Sequence, residues 1–167
     1  RRTLRYLSER GVNTDWVEVD PEHPTGVYFK DPGPSGTSVF YYRRGSAATY
    51  RRETPLPTQL IRGSRVIHVT GITAAISEDS LKLVRDTLRR VRHGKSETTV
   101  SFDVNYRRAL WPDRHVAKRV LRELADSADV VFVGRDEAEE LWRIDDPVEL
   151  RAYLPGPREL IVKDGSR

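Results

Sequence analysis

Five short runs of this 167-residue chain carry side chains able to act on charged or hydroxylated small molecules. Asp103, Asn105, Arg107 and Arg108 lie close together, Arg135, Asp136 and Glu137 follow Gly134, and Lys163 and Asp164 precede Gly165. Thr70-Gly-Ile-Thr73 offers hydroxyls and peptide groups, with a glycine that permits close backbone approach. Tyr41-Tyr-Arg-Arg44 sets phenols beside guanidiniums. Arginine is a planar, permanently charged partner for carboxylate and phosphate. What is missing narrows the chemistry. Cysteine is absent, which removes disulfides and thiolate metal sites. The four histidines, at 23, 68, 93 and 115, lack metal-ligand spacing, and none is placed beside a serine as an activated nucleophile. His68 reads as a buried, hydrogen-bonded strand residue. No glycine-rich phosphate loop of the Walker or dinucleotide type occurs, which argues against P-loop kinases and nicotinamide dehydrogenases.

The elements that must position these residues change character near Arg65. Before it, Thr14–Val19, Thr25–Lys30 and Ser38–Arg44 read as short strands, rich in β-branched and aromatic residues. Asp31-Pro-Gly-Pro-Ser-Gly-Thr37 is almost wholly turn-forming and predicts a hairpin with a long loop. Alternation along the second strand puts Val39, Tyr41 and Arg43 on one face and Phe40, Tyr42 and Arg44 on the other. A Tyr and an Arg side by side can read hydroxyls and an anion; an ordinary solvated face with Arg stems over Tyr rings explains the same pattern.

After Arg65, apolar strands at 66–69, 98–104, 129–133 and 159–163 alternate with helical patterns. Leu81, Val84, Leu88 and Val91 form one stripe behind an N-cap at Ser77, and Val116, Ala117, Val120, Leu121 and Leu124 form another. Short helices follow at 136–141 and 147–153. The alternation predicts an α/β fold with a mostly parallel sheet covered on both sides, and makes the early hairpin an insertion or lid. Ligands of such sheets sit outside the carboxyl ends of the strands, where the polar runs of the second half fall. Each run has a bland explanation too: Asp103 can cap a helix, Glu137 can answer a helix dipole, and Lys163 can simply leave the core.

With 37% hydrophobic residues the chain can bury one core. Its net charge of +4 arises from segments such as Arg85–His93, where the arginines alternate with the apolar stripe as a solvated helix face does, so no nucleic-acid partner is expected. No apolar run approaches a membrane span. The absence of methionine, a helix under way at the first residues and a strand and turn at the last predict an internal piece of a longer protein, truncated at both ends.

Thr25-Gly-Val-Tyr-Phe-Lys30, Val39-Phe-Tyr-Tyr-Arg-Arg-Gly-Ser-Ala-Ala48, His68-Val-Thr-Gly-Ile-Thr73, Ser101-Phe-Asp-Val-Asn-Tyr-Arg107, Leu110-Trp111, Asp136-Glu-Ala138 and Val162-Lys163 together resemble the PfkB/ribokinase family of sugar kinases. Within it the order is most similar to the subgroup acting on 2-keto-3-deoxygluconate, from Gly11 to the last residue. The resemblance implies a doubly wound, ribokinase-like α/β core with a small β-sheet lid, and transfer of the γ-phosphoryl group of ATP to a sugar hydroxyl with Mg²⁺. It divides the chain into the end of a core helix and connection at 1–13, lid strands at 14–44 and a partial nucleotide- and sugar-binding core at 45–167. It makes Tyr28, Tyr41, Arg43, Ile72 and Arg107 sugar-acid contacts. Asn105, Arg107 and Lys163 become nucleotide contacts, and Glu137 an indirect, water-mediated Mg²⁺ ligand. A cytoplasmic homo-oligomer acting on small molecules is implied as well.

Departures from the family pattern bear on these expectations. The Gly-Gly and Asn sugar-binding segment of the family's start and its Gly-Ala-Gly-Asp motif are absent. That motif supplies anion-hole amides and the Asp that accepts the sugar proton, so no catalytic base is assigned and no turnover is expected of the 167 residues alone. Gly134 stands where many members place an Asn. Two other functions fit the residues: a kinase of a neutral sugar or nucleoside, which would not require Arg43, and a non-catalytic binding module.

Overall fold

The computed structural model describes residues 2–34, 36–50, 54–94 and 97–165. The chain forms two compact units, residues 1–50 and 51–167.

In the first unit, α1 (Arg2–Ser8) buries none of its residues, and β1 (Val27–Gly33) pairs antiparallel with β2 (Gly36–Tyr42). The register sets Tyr28 opposite Tyr41, Asp31 opposite Ser38 and Gly33 opposite Gly36. The strands therefore run through most of the segment that composition assigns to a long loop, up to Gly33 and from Gly36, with Ser35 outside the described residues. A two-stranded ribbon tolerates this because its outer edges need no donor from Pro32. Residues 14–19, expected as a strand, form none. Local polar bonds hold this segment instead: Asn13 Oδ1 accepts from the Asp15 amide at 2.8 Å, and the Val17 amide donates to the Thr14 carbonyl at 3.0 Å. Such short-range bonds outcompete β-propensity where no partner strand is available. Farther on, Asp20 Oδ1 accepts from the Glu22 and His23 amides and Oδ2 meets His23 Nδ1, and these bonds hold its carboxyl below the ordinary carboxylate range, the Glu22 amide contributing most and the His23 side chain next.

The second unit runs α2 (Thr58–Gly63), β3 (Val66–Thr70), α3 (Gly71–Ile76), α4 (Glu78–His93), β4 (Thr99–Asp103), α5 (Arg114–Asp126), β5 (Val130–Gly134), α6 (Arg135–Trp142), α7 (Pro147–Tyr153) and β6 (Glu159–Lys163). The four strands are parallel in the order β3-β4-β5-β6. Helix starts follow their sequence signals. Ser77 Oγ accepts from the Ser80 amide at 3.1 Å, Asp113 from Val116, and Asp146 from Val148 and Glu149 with Pro147 in the first turn.

An order that advances one strand per right-handed crossover returns every helix to the same face. Burial agrees. Val100, Phe102, Val104, Val131 and Val133 are essentially inaccessible and pack with Val84 and Leu88 of α4, Leu121 and Leu124 of α5, Leu141 of α6 and Leu150 of α7. Cover of the second face is partial within the described residues. Val66, His68, Glu159 and Ile161 on the second face are exposed, although Ser101 there is buried. His68 is thus hydrogen-bonded, to Ser101 Oγ at 3.0 Å, but not buried.

Candidate functional site

Within the first unit, the ladder places three of the expected site residues on one face. Tyr28 and Tyr41 face each other with ring centroids 5.9 Å apart, and the Arg43 guanidinium lies over the Tyr41 ring at 4.2 Å. Both tyrosines are more than half exposed, and Arg43 is half-buried. Gly26 backs this arrangement. A Cβ there would stand 3.3 Å from the Arg43 Cβ, so a side chain would press on the stem that carries the guanidinium. The opposite face carries Phe29 and Tyr42, edge to face at 5.6 Å. A guanidinium stacked on a phenol keeps its in-plane donors free for a carboxylate, which makes this face a chemically sensible acid reader.

Within the second unit, the carboxyl ends of the strands bring the remaining expected residues together. Burial alternates after β4: Phe102, Val104 and Tyr106 enter the core, while Asp103, Asn105 and Arg107 do not. Asn105 has φ of 40°, a left-handed conformation that Asn adopts more readily than most residues, and its buried Oδ1 has no partner among the described residues. Gly71 opens α3 against this segment, its Cα so close to the Val104 carbonyl that a Cβ would lie 2.1 Å from the oxygen. Ile72 follows, and its amide is already bonded to the Thr70 hydroxyl cap at 3.1 Å.

Two ion pairs join expected site residues at the strand ends, beside a third between Arg135 and Asp164 at 3.4 Å. Arg107 Nη1 donates to the Tyr106 carbonyl at 3.0 Å and to Glu137 Oε1 at 3.2 Å. Glu137, only 9% exposed, accepts with Oε2 from the Gly134 amide at 3.1 Å at the start of α6. Lys163 Nζ reaches Asp103 Oδ1 at 2.8 Å although β5 lies between their strands. Its register partner is Gly134, which has no side chain to obstruct that crossing. Asp103 therefore serves an ion pair and caps no helix. Glu137 serves both its helix start and Arg107.

Tyr106 is the residue whose position sequence reasoning passed over. It is 4% exposed, and its hydroxyl finds no partner among the described residues. Loss of solvent pushes its phenol above the usual tyrosine range; Glu140 adds to this, and Arg108 and Arg114 oppose it. The period-two run Phe102-Asp-Val-Asn-Tyr-Arg107 was the available signal.

Arg107 and Lys163 are suitable for phosphate oxygens, and the orphaned Asn105 Oδ1 marks a polar atom still lacking its bond. For a divalent metal the donor set is sparse. No group of three or more His, Asp or Glu residues able to hold a metal occurs among the described residues. Magnesium generally takes one or two carboxylates, substrate phosphates and waters, and Glu137 retains lone pairs for such a water. No helix among the described residues is long and apolar enough to cross a membrane.

The chain is 33% identical over 172 residues to the 2-dehydro-3-deoxygluconokinase of Thermoproteus tenax, a match covering 99% of this chain and 51% of that protein. It is 33% identical over 140 residues to the Bacillus subtilis protein of the same name, covering 83% of this chain and 43% of that one. The solved PfkB protein from Polaromonas sp. JS666 aligns with a TM-score of 0.90 at 28% identity, over 99% of this chain and 56% of the other. The chain thus spans about half the length of the curated relatives it matches. The description "pfkB family carbohydrate kinase" matches residues 1–167, and with the parallel α/β unit and small antiparallel sheet seen here, the chain belongs to the PfkB family of carbohydrate kinases.

Proposed function

We propose that the whole protein transfers the γ-phosphoryl group of ATP to a sugar acid, 2-keto-3-deoxygluconate, giving its 6-phosphate. The observation that carries the choice of an acid is Arg43 over Tyr41 with Tyr28 across the ladder. A neutral sugar needs hydroxyl partners only; a carboxylate gains most from a planar, permanently charged fork. The names of the relatives point the same way, since both gluconokinases described above act, by name, on the 2-dehydro-3-deoxy acid.

In this reading Tyr28, Tyr41 and Arg43 hold the acid end of the sugar, and Ile72 is a further sugar contact. Asn105 and Arg107 meet the sugar and phosphate oxygens, and Lys163 opens the nucleotide-binding stretch. Phosphoryl transfer asks chiefly for alignment and neutralisation of charge, which fixed guanidinium and ammonium groups provide without covalent chemistry. Glu137 would hold magnesium through water, and the ion would supply charge neutralisation at the phosphates. The base that takes the sugar hydroxyl proton is assigned to no residue of this chain. A cytoplasmic homo-oligomer is part of the same proposal.

The test is Arg43→Ala in the whole protein. The KM for 2-keto-3-deoxygluconate is expected to rise about tenfold or more, the size of one lost charge-assisted contact, with little change in the KM for ATP. An unchanged KM for the acid would mean that Arg43 does not read the carboxylate.

A further inference from the structure

The Arg107 guanidinium is half exposed, yet one edge of it is fully committed. Both protons of Nη1 are spent, on the Tyr106 carbonyl at 3.0 Å and Glu137 Oε1 at 3.2 Å. The other edge, Nε and Nη2, has no partner among the described residues. Arginine carries five N–H donors in a rigid plane, so fixing one edge fixes the direction of the remaining three. Glu137 is itself immobilised, since Oε2 takes the Gly134 amide at the first turn of α6 and the side chain is only 11% exposed. The Tyr106 carbonyl is equally fixed, because the ring of that residue is held in the core and the preceding Asn105 occupies the left-handed region.

From this geometry we propose that Glu137 is a positioning residue acting through Arg107: with the Tyr106 carbonyl it grips one edge of the guanidinium and presents the other edge as a preformed two-pronged receptor for phosphate oxygens. The assignment rests on the nucleotide-phosphate reading of Arg107 given above. It separates two duties of the carboxylate, since aiming Arg107 uses one oxygen and leaves lone pairs for a water. It also explains why a buried acid sits beside a cation that an anion must share. The loss of free rotation about the guanidinium is met on folding and not on binding, which favours affinity. A lysine at 107 would carry the charge but has no second edge to present.

A cycle that conserves every charge tests this. Glu137→Asp keeps the carboxylate and shortens it by one methylene, so that it no longer spans the Gly134 amide and Nη1. ATP affinity, measured by calorimetry without added metal, is expected to fall about fivefold, the size of one half-exposed charge-assisted bond. In an Arg107→Lys background the same Glu137→Asp change is expected to have no further effect on ATP affinity. Unchanged affinity in the single variant, or an equal loss in both backgrounds, overturns the proposal. Should Glu137→Asp fail to fold, the wild-type chain decides by NMR. A gripped Nη1 gives Arg107 separate Nη1 and Nη2 proton signals without ligand, whereas a single averaged signal overturns the proposal. If wild-type protein shows separate signals but binds no ATP, the nucleotide reading fails while the grip on Arg107 stands.

Discussion

Gly71→Ala is the sharpest structural perturbation of the strand-end site. The added Cβ would meet the Val104 carbonyl oxygen at 2.1 Å and Leu121 Cδ2 at 2.7 Å. Neither neighbour can yield cheaply, because the oxygen is main chain at the end of β4 and Leu121 is wholly buried in α5. Contacts below 3.0 Å are essentially never seen for a real Cβ, so the start of α3 and the exit of β4 must separate by about 0.9 Å. Overpacking of a well-filled core typically costs about 1–3 kcal/mol, and a backbone obstacle places this case at about 3 kcal/mol. For a unit of this size that corresponds to a fall in Tm of about 10 °C. Thermal unfolding followed by circular dichroism measures it, with amide exchange of residues 104–107 reporting the local opening. Gly63→Ala is the control, since a Cβ there meets nothing within 4 Å and no positive φ is involved, and its Tm should not fall. A Gly71→Ala protein within about 0.5 kcal/mol of wild type would refute the close approach on which the site's geometry depends.

Two further perturbations address the same region. Tyr106→Phe removes a buried hydroxyl that has no partner among the described residues, so stability should stay level or rise slightly in a denaturant titration, whereas Tyr106→Ala should cost about 3–5 kcal/mol. Because burial raises the Tyr106 phenol, the folded form keeps its proton longer than the unfolded one. Its stabilisation is complete below the unfolded tyrosine value of about 10 and is lost as pH climbs through the higher folded value, a loss that Tyr106→Phe should abolish in melts at alkaline pH. Thr70→Ala removes the hydroxyl that caps α3 at the Ile72 amide and should cost about 1 kcal/mol in a thermal melt, with Thr70→Ser restoring most of it.

Much of the second unit was legible along the chain because its code is local. Apolar runs bounded by polar caps place β3 to β6 within a residue or two of their observed ends, and Ser77 announces α4 because a side-chain oxygen there answers an orphan amide three residues on. Residues 14–19 were misread for a related reason. Val17 and Val19 favour a strand, but a strand needs a neighbour, and the Asn13 and Thr14 turn bonds form without one. The length of the hairpin also escaped prediction, since Pro32 and Gly33 speak for a turn and only pairing with Thr37 and Gly36 shows that the ladder continues.

By itself the sequence determined which residue types reach the strand ends and the hairpin face: Arg43, Asn105, Arg107, Glu137 and Lys163 follow from period two and from the place where each apolar run stops. Tertiary structure alone decided who meets whom. Arg107 lies 30 residues from Glu137, and Lys163 lies 60 from Asp103. No local periodicity encodes such a pairing, because it depends on strand order, on register and on Gly134 leaving the way across β5 clear. Side-chain chemistry is written residue by residue. Its direction and its partners come from the packing of distant segments, here the grip of Glu137 and the Tyr106 carbonyl on one edge of Arg107.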